Sequence, residues 1–277
     1  MLFLIAIANL CWNVSAYTPE YATIATHAAE KHGKGAYQIE QEVTYRKESE
    51  TYTVKETWQV TGENELRVTL EGRGPLKGLV TGTIVYQGGT RSASENAQAV
   101  RARNLGEDWL EPLFHFRSSR YLRSKLVGLR ITSQETLRDR APLNFEGPPE
   151  WQPQGFVRLS RTGGAVTWAI GATPPAAATP MIWIEQDQFV LRKLKTASQV
   201  ILKADDYAKY DDGMWYPRSR TYTFGPHTVQ VQTLQVKPLG KLAANDSRFK
   251  PTSLTPAKDA VRLPEVEGLR EFYSRFR

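Results

Sequence analysis

Two hydrophobic periods divide this chain. Over residues 17–32 the apolar positions Tyr21, Ile24, Ala25, Ala28 and Ala29 recur at helical spacing. Gly33-Lys34-Gly35 then supplies residues suited to a left-handed helix cap. From Tyr37 the period becomes two. Tyr37, Ile39, Val43 and Tyr45 alternate with polar neighbours, as do Tyr52, Val54, Trp58 and Val60, and then Leu66, Val68 and Leu70. Strict alternation gives each strand one dry and one wet face, the pattern of antiparallel sheet. Thr61-Gly62-Glu63-Asn64 is a turn between two of these strands, and a fourth strand is expected over Val80 to Tyr86.

The pattern then lapses. Thr90 to about Asn104 reads as polar loop, and Glu107 to Val127 as a helix with the apolar stripe Leu110, Leu113, Phe114, Tyr121, Leu122 and Leu126. Its acidic start and its later basic residues Arg117, Arg120, Arg123 and Lys125 suit a helix dipole. After the proline-rich stretch 139–154, DRAPLNFEGPPEWQPQ, the two-residue period returns. Seven strands are predicted: 156–161, 165–170, 181–185, 189–195, 200–210, 214–224 and 228–237. Asp211-Asp212-Gly213 marks a hairpin, followed by Met214, Tyr216, Arg218, Arg220, Tyr222 and Phe224 on one face. Val229 and Val231 are odd-numbered, whereas Leu234 and Val236 are even. That phase switch predicts a bulge near Gln232-Thr233. Pro238 onward reads as a loose tail, ending in a short helix over Leu263–Arg277.

The first sixteen residues, MLFLIAIANLCWNVSA, form an apolar run too short to span a bilayer. Val14-Ser15-Ala16 follows in the arrangement a signal peptidase accepts, so cleavage is expected after Ala16 and the protein is expected in the periplasm. Cys11, the single cysteine, lies in that segment, so the mature chain can form no disulfide and has no thiol chemistry. The formal net charge of +7 suits an anionic surface, yet no basic stripe or module points to nucleic acid.

Candidate chemistry is sparse. His27, His32, His115 and His227 are scattered, and no metal or cofactor site is expected. There is no nucleophile elbow, P-loop or dinucleotide fingerprint, and a non-enzyme is expected. Glu56 stands out because it shares the dry face with Tyr52, Val54, Trp58 and Val60, where a carboxylate requires a partner. It is a rim position, a partner of an arginine, or a polar anchor inside a ligand cavity.

The order Y-x-x-Y-D-D-G-M-W-Y-P-R over 207–218, the strand ending V-Q-V-Q-T-L-Q-V, the run Trp183-Ile184-Glu185-Gln186-Asp187 before Phe189-Val190-Leu191, and the Q-x-E-V-T-Y run at its start resemble the LolA/LolB-like superfamily of bacterial envelope proteins over roughly 17–90 and 155–237. The resemblance implies a mainly β (α+β) fold, a strongly curved antiparallel sheet forming an incomplete β-barrel with helices covering its concave side. It also implies a carrier that holds acyl chains of lipoproteins or lipids in an apolar cavity. The family's lid-contacting arginine has no clear counterpart; Arg46 is the candidate by its place in an early strand.

The expected organisation is a signal peptide (1–16), one half-barrel domain (17–240) with a helical insertion at about 90–154, and a tail (241–277). The expected cavity lining is Tyr52, Val54, Glu56, Trp58, Leu66, Val68, Leu70, Trp183, Tyr216 and Phe224. Arg117, Arg120, Arg123 and Lys125 are the expected contacts to a membrane or an envelope partner, and the protein is expected to be a monomer. A second function is open on the same residues: a non-catalytic envelope module whose concave face binds a protein partner or its own insertion.

Overall fold

The computed structural model describes residues 19–95, 97–133, 157–171, 179–240 and 246–277. The signal-peptide segment 1–16 and the proline-rich stretch 139–154 lie outside the described residues.

Helix α1 (Tyr21–Ala29) leads into β1 (Ala36–Lys47), β2 (Glu50–Gly62), β3 (Glu65–Arg73), β4 (Thr81–Gln87), β5 (Thr90–Glu95) and β6 (Val100–Asn104). After α2 (Ser119–Gly128) come β7 (Val157–Thr162), β8 (Ala165–Ile170), β9 (Met181–Glu185), β10 (Leu191–Lys195), β11 (Ile201–Lys209), β12 (Trp215–Phe224) and β13 (His227–Gly240), then β14 (Ala260–Val261) and α3 (Glu267–Phe276). All fourteen strands join one sheet in the order β14-β5-β4-β3-β2-β1-β13-β12-β11-β10-β9-β8-β7, with β6 beside β5. Pairing is antiparallel except for β14 on β5. The two ends of the sheet do not pair, so this is an open half-barrel.

Alternation sets the register. Ile39, Trp58, Val68 and Ile84 line up across β1–β4, each fully buried on the inner face. Between β1 and β13, Glu40 pairs with Gln235 but Gln41 pairs with Thr233, which leaves Leu234 as the extra residue of a bulge and half-exposed. The expected bulge is therefore present, one residue later. Helices α1 and α2 pack on each other, and Ile24, Ala28, Leu122 and Leu126 enter the same core as the inner strand residues.

Three expectations need correction. Residues 90–95 and 100–104 are not loop but β5 and β6. Their polarity hides this, because Ser92 and Ser94 are buried and the Ser94 hydroxyl donates to the Pro256 carbonyl at 2.9 Å, a partner far away in sequence. The long helix over 107–127 is really a short 3₁₀ turn at Glu111–Phe114 followed by α2. Glu107, Asp108 and Glu111 serve no helix dipole; they pair with Arg130, Arg275 and Arg220 respectively. Nor are residues 246–277 loose. Arg67 Nη1 donates to the Arg248 carbonyl (3.0 Å) and to Ser253 Oγ (2.9 Å), Phe249 is buried, and β14 lies against Gly82. At Gly82, with φ +133°, any Cβ would come within 2.5 Å of Val261 Cα.

Helix α3 crosses the sheet near Tyr45 and His227, and the contact point is Gly268. A Cβ there would lie 2.6 Å from Tyr45 Cζ and 2.7 Å from His227 Nδ1, inside van der Waals contact. Gly268→Ala is therefore expected to destabilise the fold by about 1–3 kcal/mol, read as a lower urea midpoint, even though alanine favours a helix more than glycine does. An unchanged or higher midpoint would show that α3 does not seat here.

Candidate binding site: the filled concave face

Helix α3 reads EGLREFYSRF, with Leu269, Phe272, Tyr273 and Phe276 at i, i+3, i+4 and i+7. All four have no exposed surface, while Arg270 and Ser274 face away. The apolar stripe lies in the hollow of the sheet. Phe272 meets Tyr222 edge-on at 5.3 Å, and Phe276 meets Phe224 at 5.1 Å. The helix runs on to Arg277, whose guanidinium reaches the floor of the half-barrel.

That floor carries charges. Glu56 of β2 and Gln41 of β1 are cross-strand partners, and Gln41 Nε2 donates to Glu56 Oε2 at 2.5 Å. Trp58 Nε1 donates to the same oxygen at 2.8 Å. Arg277 Nε donates to Glu56 Oε1 at 3.0 Å, and Arg277 Nη1 lies 3.2 Å from Glu111 Oε2. Arg220 of β12 donates from Nη1 to both oxygens of Glu111, each at 2.9 Å, and from Nη2 to Gln41 Oε1. Tyr216 Oη adds a donor to Glu111 at 3.0 Å. The Gln41 amide thus bridges the two halves of the network, giving to one carboxylate and accepting from the arginine that holds the other.

Two carboxylates and two guanidiniums, all without solvent contact, sum to zero charge. Burial alone would raise the Glu111 carboxyl. The Arg220 and Arg277 guanidiniums and His115 override it, and hold the group well below the usual carboxylate range. Both arginines also lie over aromatic rings, Arg220 on Phe114 (4.8 Å) and Tyr216 (5.2 Å), Arg277 on Trp58 (5.2 Å) and Phe272 (4.8 Å).

Of the expected lining, Val54, Glu56, Trp58, Leu66, Val68, Leu70, Tyr216 and Phe224 are buried on the inner face, and Tyr52 is half-buried beside the same core. Trp183 is set apart: its neighbours Ile182 and Ile184 point inward, whereas its own ring faces outward beneath Lys193 Nζ at 4.7 Å. Arg218 likewise leaves the inner row for solvent, where it meets Asp206. The four cations around α2 share no one face. Arg120 is exposed, Arg123 is buried, Lys125 is half-buried, and Arg117 donates to the Gly35 carbonyl over the Tyr37 ring. Arg46 is exposed at the end of β1 and holds no helix; Arg220 and Arg277 bind the covering elements instead. Sequence reasoning missed Gln41, Glu111 and Arg277. The available signal was a charge, Glu56, on an otherwise dry face.

His32, at the end of α1, donates from Nδ1 to the Phe114 carbonyl at 2.8 Å and packs against Phe116 at 4.3 Å. Burial and the nearby His115 lower its pKa to about 3, from an ordinary 6.5. His115 is also lowered, mainly by burial. In the window between these values the unfolded chain binds protons that the fold refuses, so stability falls as pH drops below 6.5. Each such proton contributes up to about 1.4 kcal/mol per pH unit. His32→Gln, which keeps a donor for Phe114, is expected to flatten the fall in melting temperature between pH 6.5 and 5; the wild-type slope in this variant would refute the assignment.

No family model matches the sequence, and no curated protein matches it. Solved structures do resemble the fold. A domain from Vibrio parahaemolyticus described as an outer membrane lipoprotein-sorting protein domain superposes with a TM-score of 0.51 at 12% identity, covering 84% of this chain and 97% of its own. A LolA superfamily protein from Nitrosomonas europaea gives 0.52 at 11% identity, covering 85% and 100%. A DUF1329 family protein from Desulfovibrio piger gives 0.50 at 11% identity, covering 84% and 97%. With an open half-barrel, helices on its concave side and these superpositions, the chain has a LolA-like fold.

Proposed function

We propose that this protein is a periplasmic, non-enzymatic carrier that binds acyl chains of lipoproteins or lipids in the half-barrel, taking the place now held by α3. One observation carries the reading: the concave face is lined largely by apolar and aromatic side chains and is occupied by an amphipathic helix. The signal-peptide reading of residues 1–16, with cleavage after Ala16, supports the location, and the LolA-like fold supports the carrier class. A single half-barrel domain, with β5 and β6 in its sheet and residues 246–277 packed into it, and a monomeric state belong to the same proposal.

Magnitudes favour exchange. Four fully buried apolar side chains of α3 are worth roughly 1.5–3 kcal/mol each. Two acyl chains of about a dozen methylenes, at about 0.8 kcal/mol per methylene, exceed that sum. A ligand of two or three chains therefore has the driving force to expel the helix.

A second reading, an envelope interaction module whose groove stays closed, is favoured by the burial of Arg277 within its ion network. A neutral fluorescent diacylglycerol separates the two. The carrier reading expects saturable uptake by the wild-type chain and at least tenfold tighter uptake by Phe272→Ala/Phe276→Ala, which loosens the helix. Absence of uptake by both proteins would overturn it in favour of the closed module.

A further inference from the structure

Beneath α3 the floor of the groove has the chemistry of a receptor for one cation. Glu111 is satisfied without α3, by both Arg220 hydrogen bonds, by Tyr216 and by His115 at 3.2 Å. Glu56 is not. Its remaining donors, Gln41 and the Trp58 indole, are neutral, and its one counter-charge is Arg277. With α3 lifted, the inner face keeps Glu56, Glu111, Arg220 and Arg91; Arg220 is held by Glu111 and Arg91 lies 3.6 Å from Glu95, so Glu56 is the carboxylate left without a paired cation in an aromatic hollow. Trp58 and Tyr222, whose rings lie 5.2 and 5.8 Å from the Arg277 guanidinium, remain as two walls. A carboxylate flanked by aromatic faces is a recognised way of holding guanidinium and quaternary ammonium groups. The fit to the resident arginine is also incomplete: Arg277 Nη2 finds no hydrogen-bond partner among the described residues.

We infer that the cargo is an amphiphile bearing one positive charge, which takes the place of Arg277 between Glu56, Trp58 and Tyr222 while its apolar chains take the place of the α3 stripe. This rests on the carrier reading above and narrows its substrate class. An uncharged amphiphile leaves a buried carboxylate without a counter-ion, and an anionic one adds a second like charge, both costly in a dry site.

The test is competition in the full wild-type chain against the neutral diacylglycerol probe, using dodecylguanidinium, dodecanol and dodecanoate, each below its micellar concentration. Dodecylguanidinium is expected to displace the probe at a concentration at least tenfold lower than dodecanol, with dodecanoate weakest. Equal potency of the three would overturn the inference while leaving acyl carriage standing; failure of the probe to bind, together with no rise in melting temperature on adding dodecylguanidinium, would overturn both. A second readout needs no lipid. In Arg277→Ala, millimolar methylguanidinium is expected to raise the melting temperature saturably, and Glu56→Gln is expected to abolish the rise. No rise in Arg277→Ala would show that the site is not a cation receptor.

Discussion

The structure depends on one guanidinium. Arg277 sits between Glu56 on β2 and Glu111 in the turn before α2, and it ties the last helix to the first sheet strands and to the segment that covers them. Without this cation the hollow of the half-barrel holds a carboxylate with no counter-charge. With it, four buried charges cancel, and the apolar stripe of α3 closes over them. Ion pairs of this kind are rarely the cheapest way to stabilise a core, since desolvation offsets most of the Coulomb gain. Here Nε and Nη1 of Arg277 reach carboxylate oxygens on two separate elements, Glu56 and Glu111.

The same arrangement pairs an apolar filling with a charged floor. Leu269, Phe272, Tyr273 and Phe276 fill the hollow, and Arg277 supplies the positive charge beneath them. A curved sheet can offer both because alternation sends every second residue inward. A single polar residue in that series, such as Gln41, Glu56 or Arg220, therefore becomes part of the floor. Gln41 and Glu56 are also exact cross-strand partners, so pairing β1 with β2 builds half of the network before any helix docks.

Much of the sheet was legible in the sequence because β1, β2 and β3 alternate, broken on the inner face by Gln41 and Glu56 alone, and the phase switch between Val231 and Leu234 announced its own bulge. Strand β5 was not legible. Arg91, Ser92 and Ser94 are polar, yet they are buried by partners such as Pro256 and Arg277 that lie more than 150 residues away. The helix over 107–127 failed for a related reason: Glu111 has helical neighbours in sequence but is drawn inward by Arg220, and the chain turns there instead. In the site, Glu56 was visible as a charge on a dry face. Its partner was not, because Arg277 ends a run, REFYSRFR, in which charges recur among aromatics as on any amphipathic surface helix. Which face of such a helix is buried, and against what, is decided by tertiary geometry that one sequence does not display.

The claim that α3 is anchored by charge through Arg277 is tested most directly by a double-mutant cycle of Glu56→Gln and Arg277→Gln, read by urea denaturation. The account predicts strong coupling, about 2 kcal/mol or more, because each single change strands a buried charge that the double change removes. Additive effects would contradict it, and would mean that α3 is held by its apolar stripe alone.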